Sequence, residues 1–110
     1  MYLTHSATEA ILRTIASYRP GTTLVVNFVL PPEELDELAA SVSASAAKAV
    51  ASSHEPVVTG YTAGQAATML HEAGFSRAAV LNAEVLSRRY LRSRPDLRFP
   101  ASTVTAVATV

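Results

Sequence analysis

A cluster of arginines near the end of the chain has side chains that could bind an acidic ligand. Five of the nine basic residues fall within one short stretch beside Tyr90: Arg88, Arg89, Arg92, Arg94 and Arg98. A guanidinium group can bind a carboxylate through two parallel hydrogen bonds, so the cluster could hold an acidic small molecule. A solvated helix face is the commoner origin of such a run of charge, and both interpretations stay open at this point.

The other reactive side chains do not form a metal site or a catalytic pair. His5, His54 and His71 stand apart, without the spacing that places two imidazoles on one helix face. The chain has no cysteine, which excludes disulfides, zinc-thiolate clusters and thiol nucleophiles. The sequence therefore predicts no metal and no acid-base catalytic residue.

Charge and apolar content favour one small domain without a nucleic-acid or membrane partner. Nine basic residues balance nine acidic ones, so no net field attracts nucleic acid or an anionic membrane. The chain has 110 residues, 49% of them hydrophobic, which suffices for one core. The longest apolar run, residues 24–30, is too short to cross a bilayer, and the first residues show no export signal. We therefore expect a cytoplasmic protein.

In its first half, the chain has the pattern of a helix, a strand and a second helix. Residues 6–9 (SATE) match a capping box, which predicts a helix from Ser6 to the stop at Pro20-Gly21. Residues 22–30 are β-branched and aromatic with little polar alternation, as in a strand covered on both faces inside a parallel sheet. A second helix should begin at about residue 32.

The second half predicts two more helices and two more strands. His54-Glu55-Pro56 breaks the second helix, and a capping box at residues 62–65 (TAGQ) begins a third, which Gly74 ends by adopting a left-handed conformation. The remaining predictions are a strand at 77–81, a helix at 84–92, a loop at 95–100 and a strand at 102–110.

In this order, several segments resemble the leucine carboxyl methyltransferase family, whose members have a Rossmann-like fold. The segments are MYLT at residues 1–4 with the helix that follows, LPPE at 30–33, LHEAGF at 70–75, and residues 86–90 with a downstream arginine. The resemblance covers the whole chain but only the second half of a family member. It implies an α/β fold, namely the C-terminal half of a Rossmann-like methyltransferase, with residues 1–110 as a single partial domain.

The resemblance also implies a strand order and a cofactor. The family's fifth and sixth strands are parallel and its seventh, here 102–110, lies antiparallel between them, so a three-stranded mixed sheet with flanking helices is expected. The cofactor would be S-adenosylmethionine, held by a glycine-rich loop and acidic residues in the other half. The four glycines of this chain form no G-x-G pair.

Candidate ligand-binding residues follow from the ends of the strands. Ligands of open α/β sheets bind beyond the carboxyl ends of parallel strands. Met1 and Tyr2 would lie at one such end and are the candidate cofactor-binding residues. The resemblance puts Tyr2 at the edge of the family's active site, where its ring and hydroxyl could orient the donor or the acceptor. The candidate substrate-binding residues are Tyr2, Asn27, Phe28, Arg88, Arg89 and Tyr90. The alternatives are that Tyr2 only packs at the N-terminus and that the Asn27 amide is satisfied within the sheet.

Two functions are compatible with these features of the sequence. The first is an S-adenosylmethionine-dependent O- or carboxyl-methyltransferase that acts on a small-molecule or carboxylate acceptor and is inactive without a complementary N-terminal half. The second is an interaction module without enzymatic activity. It would form a homodimer or pair with a partner through strand 22–30, whose edge is exposed because a neighbouring strand is missing.

Overall fold

The computed structural model describes residues 3–35, 37–52, 60–99 and 101–110. Helices and strands follow one another as α1 (His5–Ala16), β1 (Thr23–Val29), a 3-10 turn (Pro32–Glu34), α2 (Glu37–Ser52), α3 (Ala63–Ala73), β2 (Arg77–Leu81), α4 (Ala83–Tyr90) and β3 (Thr103–Thr109). The strand predicted at 77–81 has those bounds in the structure, and the strands predicted at 22–30 and 102–110 are each shorter by one residue at both ends.

The three strands form one sheet with the last strand in the middle. β3 lies between β1 and β2 and runs antiparallel to both, so β1 and β2 point in the same direction. Every hydrogen-bonded ladder among the described residues is antiparallel. The α/β class is therefore confirmed, but the expected mixed sheet, with residues 22–30 in a parallel interior, is wrong.

β1 has one face turned to the core and one turned to solvent. Leu24, Val26 and Phe28 pack in or against the core. Val25, on the opposite face, is 65% exposed. Because the apolar Val25 lies on the solvent face, the sequence of β1 does not alternate clearly between apolar and polar residues. The sequence therefore resembles that of a strand covered on both faces.

The hydrophobic core occupies one face of the sheet. α3 packs across β2 and β3, and α1 packs against α3. The core residues are Leu12, Phe28, Tyr61, Ala66, Met69, Leu70, Phe75, Val104, Ala106 and Ala108. Ala66, Ala106 and Ala108 have no exposed surface. Their small side chains let α3 approach the middle strand closely.

α1 begins earlier than the sequence predicts. Thr4 caps the helix, because its backbone is extended and its hydroxyl accepts a hydrogen bond from the Ala7 amide at 3.2 Å. The capping box predicted at Ser6 is therefore wrong. The Glu9 carboxylate, which that motif would have used, lies instead 3.3 Å from the His5 imidazole, one helical turn away. The helix is thus capped by Thr4, two residues upstream of Ser6.

Both predicted ends of α3 are confirmed. The Thr62 hydroxyl accepts from the Gln65 amide at 3.1 Å, and the Gln65 side chain accepts from the Thr62 amide at 2.9 Å, which completes the capping box. Gly74 follows the helix with a φ of 113°, in the left-handed region. Phe75 then turns back into the core, and its amide donates to the Leu70 carbonyl at 3.2 Å.

The second helix starts later than predicted. Pro32–Glu34 form a 3-10 turn, after which Leu35 is extended, with φ −86° and ψ 140°. An extended residue interrupts the helical hydrogen bonds, so α2 begins only at Glu37. The predicted break at His54-Glu55-Pro56 lies outside the described residues. α4 begins at Ala83, one residue before its predicted start. Asn82 caps it, because the Asn82 side chain accepts a hydrogen bond from the Val85 amide at 2.9 Å.

Gly74 and Gly64 form a matched pair for testing the backbone of α3. Gly74→Ala should lower the free energy of unfolding by about 1 kcal/mol, because a Cβ is strained at positive φ. Gly64→Ala, in the first turn of the same helix with only Thr62 Oγ1 at 4.0 Å, should raise it by about 0.5 kcal/mol. Urea unfolding midpoints measure both changes. Equal effects of the two substitutions would contradict the left-handed cap.

Candidate functional site

The carboxyl end of β1 borders a small apolar groove. The groove lies between α1 and β1 and has a volume of about 140 Å³. Its lining residues are Leu3, Thr8, Ile11, Leu12, Val26, Asn27, Phe28, Val29 and Tyr61. The side chains are mostly aliphatic or aromatic, and tyrosine is the one ionisable type among them. The groove therefore suits apolar side chains rather than a charged ligand.

Two of the predicted site residues line this groove. Phe28 is buried, and its ring packs edge-on against Tyr61 with a centroid distance of 5.6 Å. The Asn27 Oδ1 accepts a hydrogen bond from the Thr105 hydroxyl at 2.8 Å, across the β1–β3 ladder. The side-chain oxygen of Asn27 is thus hydrogen-bonded within the sheet, which favours the alternative interpretation of this residue. Met1 and Tyr2 lie outside the described residues, so their predicted roles remain predictions.

Tyr61 is the residue at this end of β1 that the sequence patterns did not reveal. It is 8% exposed, and its hydroxyl is buried without a hydrogen-bond partner in the described structure. Its amide donates to the Val29 carbonyl at 2.7 Å. Gly60 makes this approach possible, because a Cβ there would lie 3.0 Å from the Pro31 Cα. The segment 60–61 therefore closes the carboxyl end of the β1 edge.

A signal for the burial of Tyr61 was present in the sequence. Tyr61 immediately precedes the cap residue Thr62, and Ala66 occupies the fourth helical position of α3. Apolar residues at these two positions form a hydrophobic staple, which fixes how the chain enters a helix. Both residues belong to the core.

The free edge of β1 presents unpaired backbone groups. The Thr22 carbonyl accepts a hydrogen bond from the Val110 amide, and the Leu30 amide donates one to the Ser102 carbonyl, each at 2.9 Å. At both ends of β1, these groups therefore point toward β3. Because backbone groups alternate in direction along a strand, the even-numbered residues of β1 face β3 and the odd-numbered ones face outward. Val29 follows this rule, since its carbonyl accepts from Tyr61. Within the described chain, nothing pairs with the amides and carbonyls of Thr23, Val25 and Asn27.

The arginine cluster is exposed and partly neutralised by the chain's own carboxylates. Arg94 donates to both oxygens of Asp96, at 3.0 and 2.8 Å. These hydrogen bonds lower the pKa of Asp96 and raise the pKa of Arg94 relative to their ordinary values. Arg88 lies 3.7 Å from Glu84 on the surface of α4. Both pairs are open to solvent, so each contributes little to stability.

Arg88 and Arg89 line a shallow hollow with Val85 and Arg92. Tyr90 is exposed, and its ring contacts Phe99 with a centroid distance of 6.4 Å. This hollow shares no residue with the groove at β1. The structure therefore does not bring Arg88 and Arg89 together with Asn27 and Phe28, and both arginines are exposed to solvent on α4.

The described residues contain no group of three or more side chains able to hold a metal ion. They also contain no helix that is both long and apolar enough to span a membrane.

Comparison with known proteins identifies a related fold. No protein-family model matches the sequence, and no curated protein matches it. The chain is similar to the crystal structure of a possible exported protein from Bordetella parapertussis, with a TM-score of 0.61 and 16% sequence identity. The similarity covers 98% of this chain and 35% of that protein, so the chain spans about a third of its length. At this identity the similarity supports the α/β fold alone.

The unpaired hydroxyl of Tyr61 leads to a stability prediction. Tyr61→Phe should raise the free energy of unfolding by about 1 kcal/mol, because a buried hydroxyl without a partner costs desolvation energy and returns no hydrogen bond. Tyr18→Phe, at an exposed position on the surface, is the control and should change stability by less than about 0.5 kcal/mol. Thermal or urea unfolding measures both. A clear loss of stability in Tyr61→Phe would mean that the hydroxyl has a partner in solution.

Proposed function

We propose that this chain is the C-terminal portion of an S-adenosylmethionine-dependent O- or carboxyl-methyltransferase with a Rossmann-like fold. In this proposal it is inactive alone and is completed by an N-terminal half that supplies the glycine-rich cofactor loop. The supporting observation is the sheet itself: β3 lies between β1 and β2 and antiparallel to both, in the order that the family resemblance implied.

The path of α1 supports a missing neighbour for β1. Leu3, just before α1, and Thr8, near the start of α1, line the same groove as Val29 at the carboxyl end of β1. The chain then returns to the amino end of β1, where the Val110 amide donates to the Thr22 carbonyl. A helix that runs back along a strand in this way is the second part of a β-α-β unit. The first part would be a strand parallel to β1 at its open edge.

The groove at the carboxyl end of β1 does not by itself fit S-adenosylmethionine. The groove at β1 measures about 140 Å³, well below the roughly 300–1,000 Å³ of small-molecule pockets. Gly21, Gly60, Gly64 and Gly74 provide no G-x-G turn for a cofactor. The cofactor is therefore assigned chiefly to the other half, with Met1 and Tyr2 at the border.

The contribution of this chain would lie on the acceptor side. An acceptor carboxylate is already ionised at neutral pH, so it needs orientation rather than a general base. Arg89 is the best placed of the predicted guanidinium groups, since Arg88 faces Glu84. We also propose that the protein is cytoplasmic. The Bordetella protein is described as a possible exported protein, so cell fractionation is the check on location.

Calorimetric titration with S-adenosylmethionine tests this function. The chain alone should give no binding heat, because the cofactor loop lies elsewhere. A mixture with a polypeptide that carries a glycine-rich Rossmann half should bind about one cofactor per pair. Tight binding by the chain alone would contradict the assignment of the donor site to the other half. Absence of binding in every such mixture would contradict the methyltransferase proposal itself.

A second candidate function is an interaction module that pairs through the open edge of β1. The observation that favours it is the composition of this edge. Residues 23–29 contain no charged residue and no proline, which are the devices that usually protect an exposed strand from pairing. Sedimentation over a range of concentrations is the test. A dimer without affinity for the methyl donor favours this function, and a monomer at high concentration contradicts it.

A further inference from the structure

We propose that, in the chain by itself, the edge of β1 pairs antiparallel with β1 of a second copy, with Val25 opposite Val25 on a two-fold axis. The inference rests on the second candidate function and specifies its partner, orientation and register. It produces a continuous six-stranded sheet, with the two β1 strands at the centre.

The pairing window is limited at both ends by the chain itself. At the carboxyl end, the Val29 carbonyl already accepts from the Tyr61 amide at 2.7 Å. At the amino end, the Gly21 amide donates to the Val110 carbonyl at 2.9 Å, and the Thr22 amide donates to Arg19 in the preceding turn. Among the described residues, the outward groups that remain free are therefore those of Thr23, Val25 and Asn27. Val25 is the centre of this window.

Two copies related by a two-fold axis through Val25 satisfy every group in the window. Each Val25 would donate to and accept from the Val25 of the other copy. Thr23 of one copy would face Asn27 of the other, and this pair likewise exchanges both of its hydrogen bonds. A shift of two residues in one direction places Val29, whose carbonyl already accepts from Tyr61, opposite Thr23, and a shift in the other direction places Gly21, whose amide already donates to Val110, opposite Asn27. Either shift leaves free groups unpaired. The symmetric register is thus the one in which every free amide and carbonyl of this edge is paired.

The side chains are compatible with this register. On the solvent face, Val25 would meet Val25, which adds apolar contact at the axis. On the core face, Leu24 would meet Val26 of the other copy. Residues 23–29 carry no charge, so no like charges face each other across the axis. Ile11 of α1 borders the groove at this edge and is 46% exposed, so a second copy would cover apolar surface there as well.

Cysteine cross-linking reads the register directly, because the natural sequence has no cysteine. Val25→Cys should form a disulfide-linked dimer on mild oxidation, since only the central residue faces itself. Thr23→Cys alone should not, because it faces Asn27 of the other copy. An equal mixture of Thr23→Cys and Asn27→Cys chains should cross-link as a heterodimer. This three-part pattern is expected only for the antiparallel register centred on Val25.

Charge at the edge provides an independent measurement. Val25→Lys places two ammonium groups opposite each other and should weaken the dimer at least about ten-fold in sedimentation equilibrium. Ala79→Lys is the matched control, because Ala79 lies in the same cross-strand row on the opposite edge, in β2. It should leave the dissociation constant within about two-fold. Circular dichroism of both variants verifies that each keeps the fold.

The outcomes separate this inference from the function on which it rests. A dimer with the expected cross-linking pattern supports both. A dimer that cross-links through Thr23→Cys alone, or that is unaffected by Val25→Lys, overturns the register but keeps the interaction module. A monomer at high concentration overturns both. Dissociation of the dimer by an added glycine-rich half would show that the half and the second copy use the same edge, and would support the methyltransferase proposal as well.

Discussion

The pairing of β3 with two strands at once is the interaction on which the whole structure depends. β3 is the last element of the chain, yet it supplies the only ladder partner that either β1 or β2 has among the described residues. The contact between Asn27 and Thr105 joins positions 78 residues apart. Such non-local pairing costs loop-closure entropy before it returns any stabilisation. The sheet therefore forms only when the end of the chain is in place.

The same strand organises the core. Val104, Ala106 and Ala108 point to one face, and the alanines leave room for α3 to lie close against the sheet. The apolar surface that holds the sheet is thus concentrated on that side. The solvent side of β1 carries Val25, which is largely exposed. A small domain with a one-sided core has a narrow stability margin, so further contacts at the β1 edge would matter to it.

This edge also connects the two functional proposals. A parallel strand from a complementary half would complete an α/β sheet, and an antiparallel strand from a second copy would extend the same sheet by symmetry. Both use the outward groups of Thr23, Val25 and Asn27. The fold shared with the Bordetella protein is compatible with either, because a fold at 16% identity does not specify an activity. The exposed arginines and the groove at Phe28 are separate surfaces, so an acceptor site that used both would need further chain between them.

Local features of this protein could be predicted from the sequence alone. The capping box of α3, its left-handed glycine and the bounds of β2 depend on hydrogen bonds within a few residues, and those residues are adjacent in the chain. The choice of Thr4 over Ser6 as the cap of α1 required the structure, because both residues offer a similar hydroxyl.

Tertiary structure alone decided what surrounds β1. The sequence of residues 22–30 predicts a strand buried on both faces, but which faces and edges are covered depends on distant segments. β3 takes one edge, and Tyr61 closes the end of the other while leaving its own hydroxyl unpaired. The physical reason is that a strand's side chains specify its tendency to extend, whereas its neighbours are specified by every other segment that competes for the same hydrogen bonds.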